Sequence, residues 1–182
     1  MSASHLTGPS LPQRPGPPIH WGKAPIGVTA LAIAELAQQR DQPILLITED
    51  VQHAARLQEQ IRFFLGSADI PLWTFPDWET LPYDIFSPLP ELISQRLLTL
   101  HALGQGGRGI LIVPVASLMQ RLAPRSFVDA NSLLIDPGQQ LDFDAFRERL
   151  VHAGYRNVAQ VLEHGEFAVR GSLIDLFPMG SD

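Results

Sequence analysis

Two short, almost wholly apolar runs set the frame for the first two-thirds of the chain: Ile44-Leu-Leu-Ile-Thr48, just after Pro43, and Gly109-Ile-Leu-Ile-Val-Pro-Val115. Runs of this length without polar alternation predict buried strands of the kind that parallel sheets use. Helical patterns separate them. Val28–Gln39 is rich in Ala and Leu, both strong helix formers. Val51, Ala54, Leu57, Ile61, Phe64 and Leu65 recur at helical spacing behind Asp50, a residue type that caps helix N-termini. Leu72–Phe75 predicts a further strand and Leu92–Leu103 a further helix. Such alternation predicts an α/β layer built on a mostly parallel sheet.

The pattern changes near Phe127. Ser132-Leu-Leu-Ile135 predicts a strand, and Asp136-Pro-Gly138 a turn. Asp142 can cap a helix with Phe143, Phe146 and Leu150 on one face. His164-Gly165-Glu166 predicts a turn into the apolar stretch Phe167–Phe177. This part is α+β and acidic: residues 129–182 hold 4 basic and 9 acidic side chains, against 9 and 10 in residues 1–128, for a net charge of −6. Six of the 16 prolines fall in residues 1–25, so residues 1–18 are expected to form an irregular, disordered tail. The expected organisation is a tail (1–18), an α/β lobe (19–128) and the first part of a smaller α+β domain (129–182). Ending at Ser181-Asp182, directly after an apolar strand, the chain is expected to be the N-terminal portion of a longer protein.

Composition removes several classes of function. With 45% apolar and 18% charged residues the chain is globular rather than disordered. No cysteine is present, which excludes disulfides, thiolate nucleophiles and cysteine-bound metal, and is compatible with a reducing cytoplasm. No apolar run approaches the roughly 20 residues of a membrane span, and no secretory signal opens the chain. No basic run marks a nucleic-acid footprint, although a local basic groove stays open.

Four motifs raise questions of chemistry. Gly22-Lys-Ala-Pro-Ile-Gly27-Val28-Thr29 fits the Gly-x4-Gly-Lys-Ser/Thr frame of a phosphate-binding loop, and it stands just before the first helix. In such a loop backbone amides cradle phosphate, lysine neutralises it and the hydroxyl holds magnesium. Here valine stands at the lysine position, Lys23 is no assured replacement, and Pro25 removes an amide donor. Gly104-Gln-Gly106-Gly-Arg-Gly109 has the glycine spacing of a dinucleotide fingerprint. It follows a predicted helix and opens a predicted strand, the reverse of the required context. His5, His20, His53, His101, His152 and His164 have no metal-ligand spacing, and no Gly-x-Ser-x-Gly nucleophile elbow occurs. Asp77-Trp-Glu-Thr-Leu-Pro-Tyr-Asp-Ile-Phe-Ser-Pro88 predicts a rigid loop over the sheet, anchored by Trp78, Tyr83 and Phe86.

Several ordered motifs together resemble one family. They are Asp77-Trp-Glu-Thr-Leu-Pro-Tyr-Asp84, Ser87-Pro88, Ile93-Ser-Gln-Arg-Leu97, Ile112-Val-Pro-Val115, Leu118-Met-Gln-Arg121, Ala153-Gly-Tyr-Arg156, Glu163-His-Gly-Glu166 and Arg170-Gly-Ser-Leu-Ile-Asp-Leu-Phe-Pro-Met-Gly-Ser181. From about residue 19 to 182 the chain resembles the N-terminal, UvrB-like module of the bacterial transcription-repair coupling factors (Mfd). The resemblance implies a helicase-type (RecA-like) lobe that has lost nucleotide binding, followed by part of an α+β adaptor domain that docks on UvrA. It implies a bacterial, cytoplasmic parent: an ATP-dependent DNA translocase that displaces RNA polymerase stalled at a lesion and recruits nucleotide-excision repair. The parent's ATP, magnesium, DNA and polymerase sites would lie outside these residues, leaving this piece without catalytic residues, cofactor or metal. In the parent, other domains are expected to mask the UvrA surface.

The resemblance also bears on single residues. A degenerate phosphate loop at Gly22, Gly27, Val28 and Thr29 is what both lines of reasoning expect. UvrB carries a long DNA-probing hairpin in the region after Tyr83, but here only Leu89-Pro-Glu91 separates Pro88 from the helix bearing Ile93 and Arg96. Three residues cannot form a projecting two-stranded hairpin. In Phe167–Gly171 the strand period places Phe167 and Val169 on an apolar face, and Ala168, Arg170 and Ser172 on the other, with a bulge expected at Gly171. Charge alone would pair Arg170 with Glu166 or Asp175; the resemblance implies instead that Arg170 belongs to the UvrA-docking surface. Two alternatives stay open: a nucleotide-binding lobe that uses Lys23 or an arginine, and a DNA-binding lobe.

Overall fold

The computed structural model describes residues 16–18, 20–80, 85, 87–126, 128, 135 and 138–179. The expected tail over residues 1–15, the anchors Tyr83 and Phe86, the strand over residues 132–134 and the turn residues Asp136 and Pro137 lie outside them. The chain divides into two compact units, one drawn from Met1–Thr74 with Gly107–Val115, the other from Phe75–Gly106 with Ala116–Asp182.

In the first unit the order is α1 (Ile26–Gln39), β1 (Pro43–Thr48), α2 (Val51–Leu65), β2 (Leu72–Thr74) and β3 (Gly109–Pro114). The strands form a parallel sheet in the order β1-β3-β2. Register runs from Pro43↔Gly109 to Thr48↔Pro114 on one side of β3 and from Leu72↔Ile110 to Thr74↔Ile112 on the other. Helix α2 starts as expected: the Asp50 carboxylate accepts the His53 amide at 2.6 Å, which satisfies one of the helix's orphan donors. Ala54, Leu57, Ile61 and Leu65 form its buried stripe. Ala30, Ala34 and Ala37 of α1 share one cluster with that stripe and with Ile110 and Ile112 of β3.

Two expectations change here. Only β3 is buried like the core strand of a parallel sheet, with Ile110 and Ile112 sealed from water. β1 alternates, with Ile44 and Leu46 packed on the core and Leu45 and Ile47 about half exposed. Its place at the end of the strand order explains the difference, since β1 has one hydrogen-bonded neighbour where β3 has two. Helix α1 begins at Ile26, two residues before the expected start. Gly109 is required where it stands, because a Cβ there would run into the Trp73 ring of β2.

In the second unit α3 (Pro90–Gln105) starts with proline in its first turn, where no amide is lost to the helix. After the short α4 (Val115–Leu118), whose first residue still belongs to the first unit, come α5 (Phe143–His152), β4 (Arg156–Asn157), β5 (Glu166–Arg170) and β6 (Leu173–Phe177). Asp142 caps α5 by accepting the Ala145 amide at 3.0 Å. The sheet order is β4-β5-β6, with β4 parallel and β6 antiparallel to β5. Phe146 and Leu150 of α5 pack on Phe167, with Val169, Ile174, Leu176 and Tyr155 around them. The molecule is thus mixed α/β, with a three-stranded parallel sheet and an α+β part, as expected.

Phe167–Phe177 is two strands, not one. Gly171, at φ +62°, opens a two-residue turn that joins Arg170 to Leu173, so the expected bulge is a hairpin turn. Glycine at the first turn position takes that conformation without steric cost.

Candidate functional site

At the degenerate phosphate-loop frame, residues 22–25 are irregular and the helix starts inside the frame. The Val28 and Thr29 amides both turn to the Pro25 carbonyl, at 3.0 and 3.2 Å, and the Thr29 hydroxyl points to the same oxygen at 3.5 Å. A phosphate cradle needs amides directed at the ligand. These two are spent within the helix. Val28 is half buried and Lys23 is exposed on the irregular segment. The glycine run Gly104–Gly109 joins the end of α3 to the start of β3, so it lacks the strand-to-helix context of a dinucleotide site.

The Asp77 loop is anchored at its start by Arg96, a residue of the Ile93-Ser-Gln-Arg-Leu97 motif whose role the sequence does not show. Arg96 of α3 is 3% exposed, and its guanidinium carbon stands 4.0 Å from the ring centroids of both Phe75 and Trp78. Nη1 donates to the Pro76 carbonyl at 2.5 Å. Burial pushes the Arg96 pKa down, while the nearby Asp77 charge raises it. Asp77 accepts the Trp78 amide at 2.8 Å and the Gln120 side-chain amide at 2.5 Å. One buried cation therefore organises residues 75–78. Of the expected loop anchors, Trp78 is seen to act as one. α3 starts at Pro90, so Leu89 alone separates it from Pro88.

The β5–β6 hairpin carries Arg170. Register places Arg170 opposite Leu173 and Ala168 opposite Asp175, on the face away from α5. The Arg170 side chain is 60% exposed, and its Nε lies 3.8 Å from the Asp175 carboxylate. Its Nη2 reaches the Ala159 carbonyl at 3.4 Å. Asp175 is thus the local carboxylate, and Glu166 is not. Ala168, on the same face, is buried.

Glu166 is engaged elsewhere. Its carboxylate accepts the Leu162 and Glu163 amides at 2.9 and 3.0 Å and the Arg156 guanidinium at 3.1 Å. The two amides, aided by Arg156, hold its pKa below the usual carboxylate value against the opposing effect of burial. Arg156 also bonds Glu163 at 2.9 Å. His164 Nδ1 meets the Pro178 carbonyl at 3.0 Å, with its ring 4.1 Å from that of Phe177. Glu163-His-Gly-Glu166 thus builds the connection between β4 and β5. Two glutamates three apart around a His-Gly turn were the available signal for it.

Among the described residues no group of His, Asp and Glu is placed to hold a metal ion, and no helix is long and apolar enough to cross a membrane.

The described chain is mixed α/β, and its last part is the β5–β6 hairpin of a small α+β sheet. Residues 133–182 match the family of the UvrB interaction domain. Across nearly its whole length the chain is similar to the transcription-repair-coupling factors. It is 47% identical over 173 residues to those of Escherichia coli (strain K12) and Haemophilus influenzae, which covers 95% of this chain and 15% of each relative. To that of Staphylococcus aureus (strain USA300) it is 32% identical over 166 residues, 87% of this chain and 14% of the relative. The chain therefore spans about 15% of the length of the curated relatives it matches.

Proposed function

We propose that the chain is the N-terminal repair-recruiting part of a bacterial transcription-repair coupling factor. It binds UvrA and so brings nucleotide-excision repair to RNA polymerase stalled at DNA lesions in the cytoplasm. The observation that carries this reading is the coincidence of the UvrB interaction domain match with the strand that presents Arg170. Residues 19–128 act as a degenerate helicase-type lobe and 129–182 as the first part of the adaptor domain. The lobe neither binds nor hydrolyses nucleotide. The inward-turned Val28 and Thr29 amides support that assignment. ATP, magnesium, DNA translocation and polymerase contact are assigned to the rest of the longer protein.

Arg170 is suited to docking. A guanidinium presents a planar fork that holds a carboxylate bidentately, whereas lysine is a point charge. Loss of an interfacial arginine at a hot spot costs on the order of 2 kcal/mol or more, which is over tenfold in affinity. The test is binding of purified UvrA to the immobilised chain. Arg170→Ala is expected to weaken it at least about tenfold while leaving the melting temperature within about 2 °C. Unchanged affinity in the folded variant would remove Arg170 from the interface. A large fall in melting temperature would assign it a structural role.

A further inference from the structure

The exposed groups of the second unit are unequal in what they can offer a partner. Arg156 and Arg170 are nearly equally exposed, but Arg156 is held by Glu163 at 2.9 Å and by Glu166 at 3.1 Å. Charge-assisted nitrogen–oxygen bonds lie at about 2.7–2.9 Å, so its Nη2 is well satisfied. Among the described residues Arg170 has only longer contacts, 3.8 Å to Asp175 and 3.4 Å to the Ala159 carbonyl. Its guanidinium is retained beside the hairpin without being saturated, and a partner carboxylate can replace either contact.

Directly across the hairpin stands Leu173, 54% exposed. Single exposed leucines are ordinary on protein surfaces. This one differs in its placement. Arg170 and Leu173 close the two-residue turn Gly171-Ser172, and residues opposed in this way share a face with Cβ atoms about 4.5–5.5 Å apart. The next pair, Val169 and Ile174, faces the α5 core and fixes the strands beneath the tip.

We propose that the whole tip of the β5–β6 hairpin is the docking element, Leu173 supplying an apolar shelf beside the Arg170 fork. The proposal rests on the UvrA reading above, and the complementary spot on UvrA is an acidic side chain next to an apolar one. Chemistry supports the pairing. Covering Leu173 excludes water from the edge of the guanidinium, and an ion pair strengthens as the local dielectric falls. A carboxylate alone would recognise Arg170 weakly in water. An apolar surface alone would leave a buried cation unpaired.

The test measures purified UvrA binding to the full chain and to Leu173→Ala, Leu173→Asp, Leu173→Met, Arg170→Ala and the Leu173→Ala/Arg170→Ala pair, each with its melting temperature. Leu173→Ala is expected to weaken binding at least about threefold and Leu173→Asp more than about tenfold, while Leu173→Met stays near the parent. The pair should lose less than the product of the two single losses, since neighbours in one contact couple. Parent-like affinity in folded Leu173→Asp, with Arg170→Ala still weakened, would overturn the shelf and leave the arginine reading standing. Parent-like affinity in Arg170→Ala, or no UvrA binding by the parent chain, would overturn both. Self-association that Leu173→Asp abolishes, with UvrA binding unaffected, would make the tip a contact between copies and likewise overturn the proposal.

Discussion

Glu166 ties two backbone amides and an arginine to one carboxylate, and that arrangement has a definite pH signature. Its folded pKa lies below the ordinary carboxylate value, so the charged form is the one that the fold favours. The stabilisation is complete above the ordinary carboxylate range and is lost as pH falls through the folded value. Glu166→Gln should therefore melt below the parent at about pH 7, with the gap closing towards about pH 3, as followed by circular dichroism. A gap of the same size at both ends would show that shape rather than charge is what Glu166 supplies. Arg96 makes the complementary case for a cation. Lysine keeps the charge but cannot lie flat between Phe75 and Trp78 while donating to Pro76. Arg96→Lys is expected to lower stability by about 1–3 kcal/mol in urea unfolding. Equal midpoints would refute the clamp. Neither role was legible from sequence. Arg96 is one of many polar residues on α3, and only the folded path of Phe75–Trp78 brings two rings to it.

At the scale of elements, the sequence was most informative where one physical rule acts alone. Asp50 and Asp142 cap their helices as their positions predict, and most of the stripes of α2 and α5 is buried as their spacing predicts, with Phe64 and Phe143 partly buried and Val51, in the first turn of α2, exposed. β1 and β3 have similar composition and different burial, because burial depends on the neighbour across the ladder and not on the strand's own residues. The turn at Gly171 was missed because Leu173–Phe177 continues the apolar character of Glu166–Arg170, and a single glycine signals a bulge as readily as a hairpin. Of the candidate site, the hairpin arginine and the broken phosphate frame could be named in advance. Leu173 could not, since its importance comes from register. Helix α1 carries its own expectation. Restoring the loop lysine by Val28→Lys should give no ATPase activity, because the neighbouring amides already serve the helix and phosphoryl transfer also needs a metal-holding acid and a positioned water. Measurable phosphate release by that variant would show a nearly intact site.

Taken whole, the chain carries a net charge of −6 and its sequence has no basic run. Phosphate neutralisation supplies most non-specific affinity for DNA, so duplex binding is expected to be undetectable at about 0.15 M salt by fluorescence anisotropy. Saturable, salt-sensitive binding would revive a DNA-binding lobe. The path of the chain has a different kind of consequence. It passes from one compact unit to the other after Thr74, returns after Gly106 and leaves again after Val115. β3, the central strand of the first unit, is therefore delivered by a segment that has already run through α3 of the second. A protease that cuts one peptide bond cannot liberate either unit with all its pieces. A gene fusion that copies one uninterrupted stretch cannot transplant the parallel sheet without carrying Phe75–Gly106 with it.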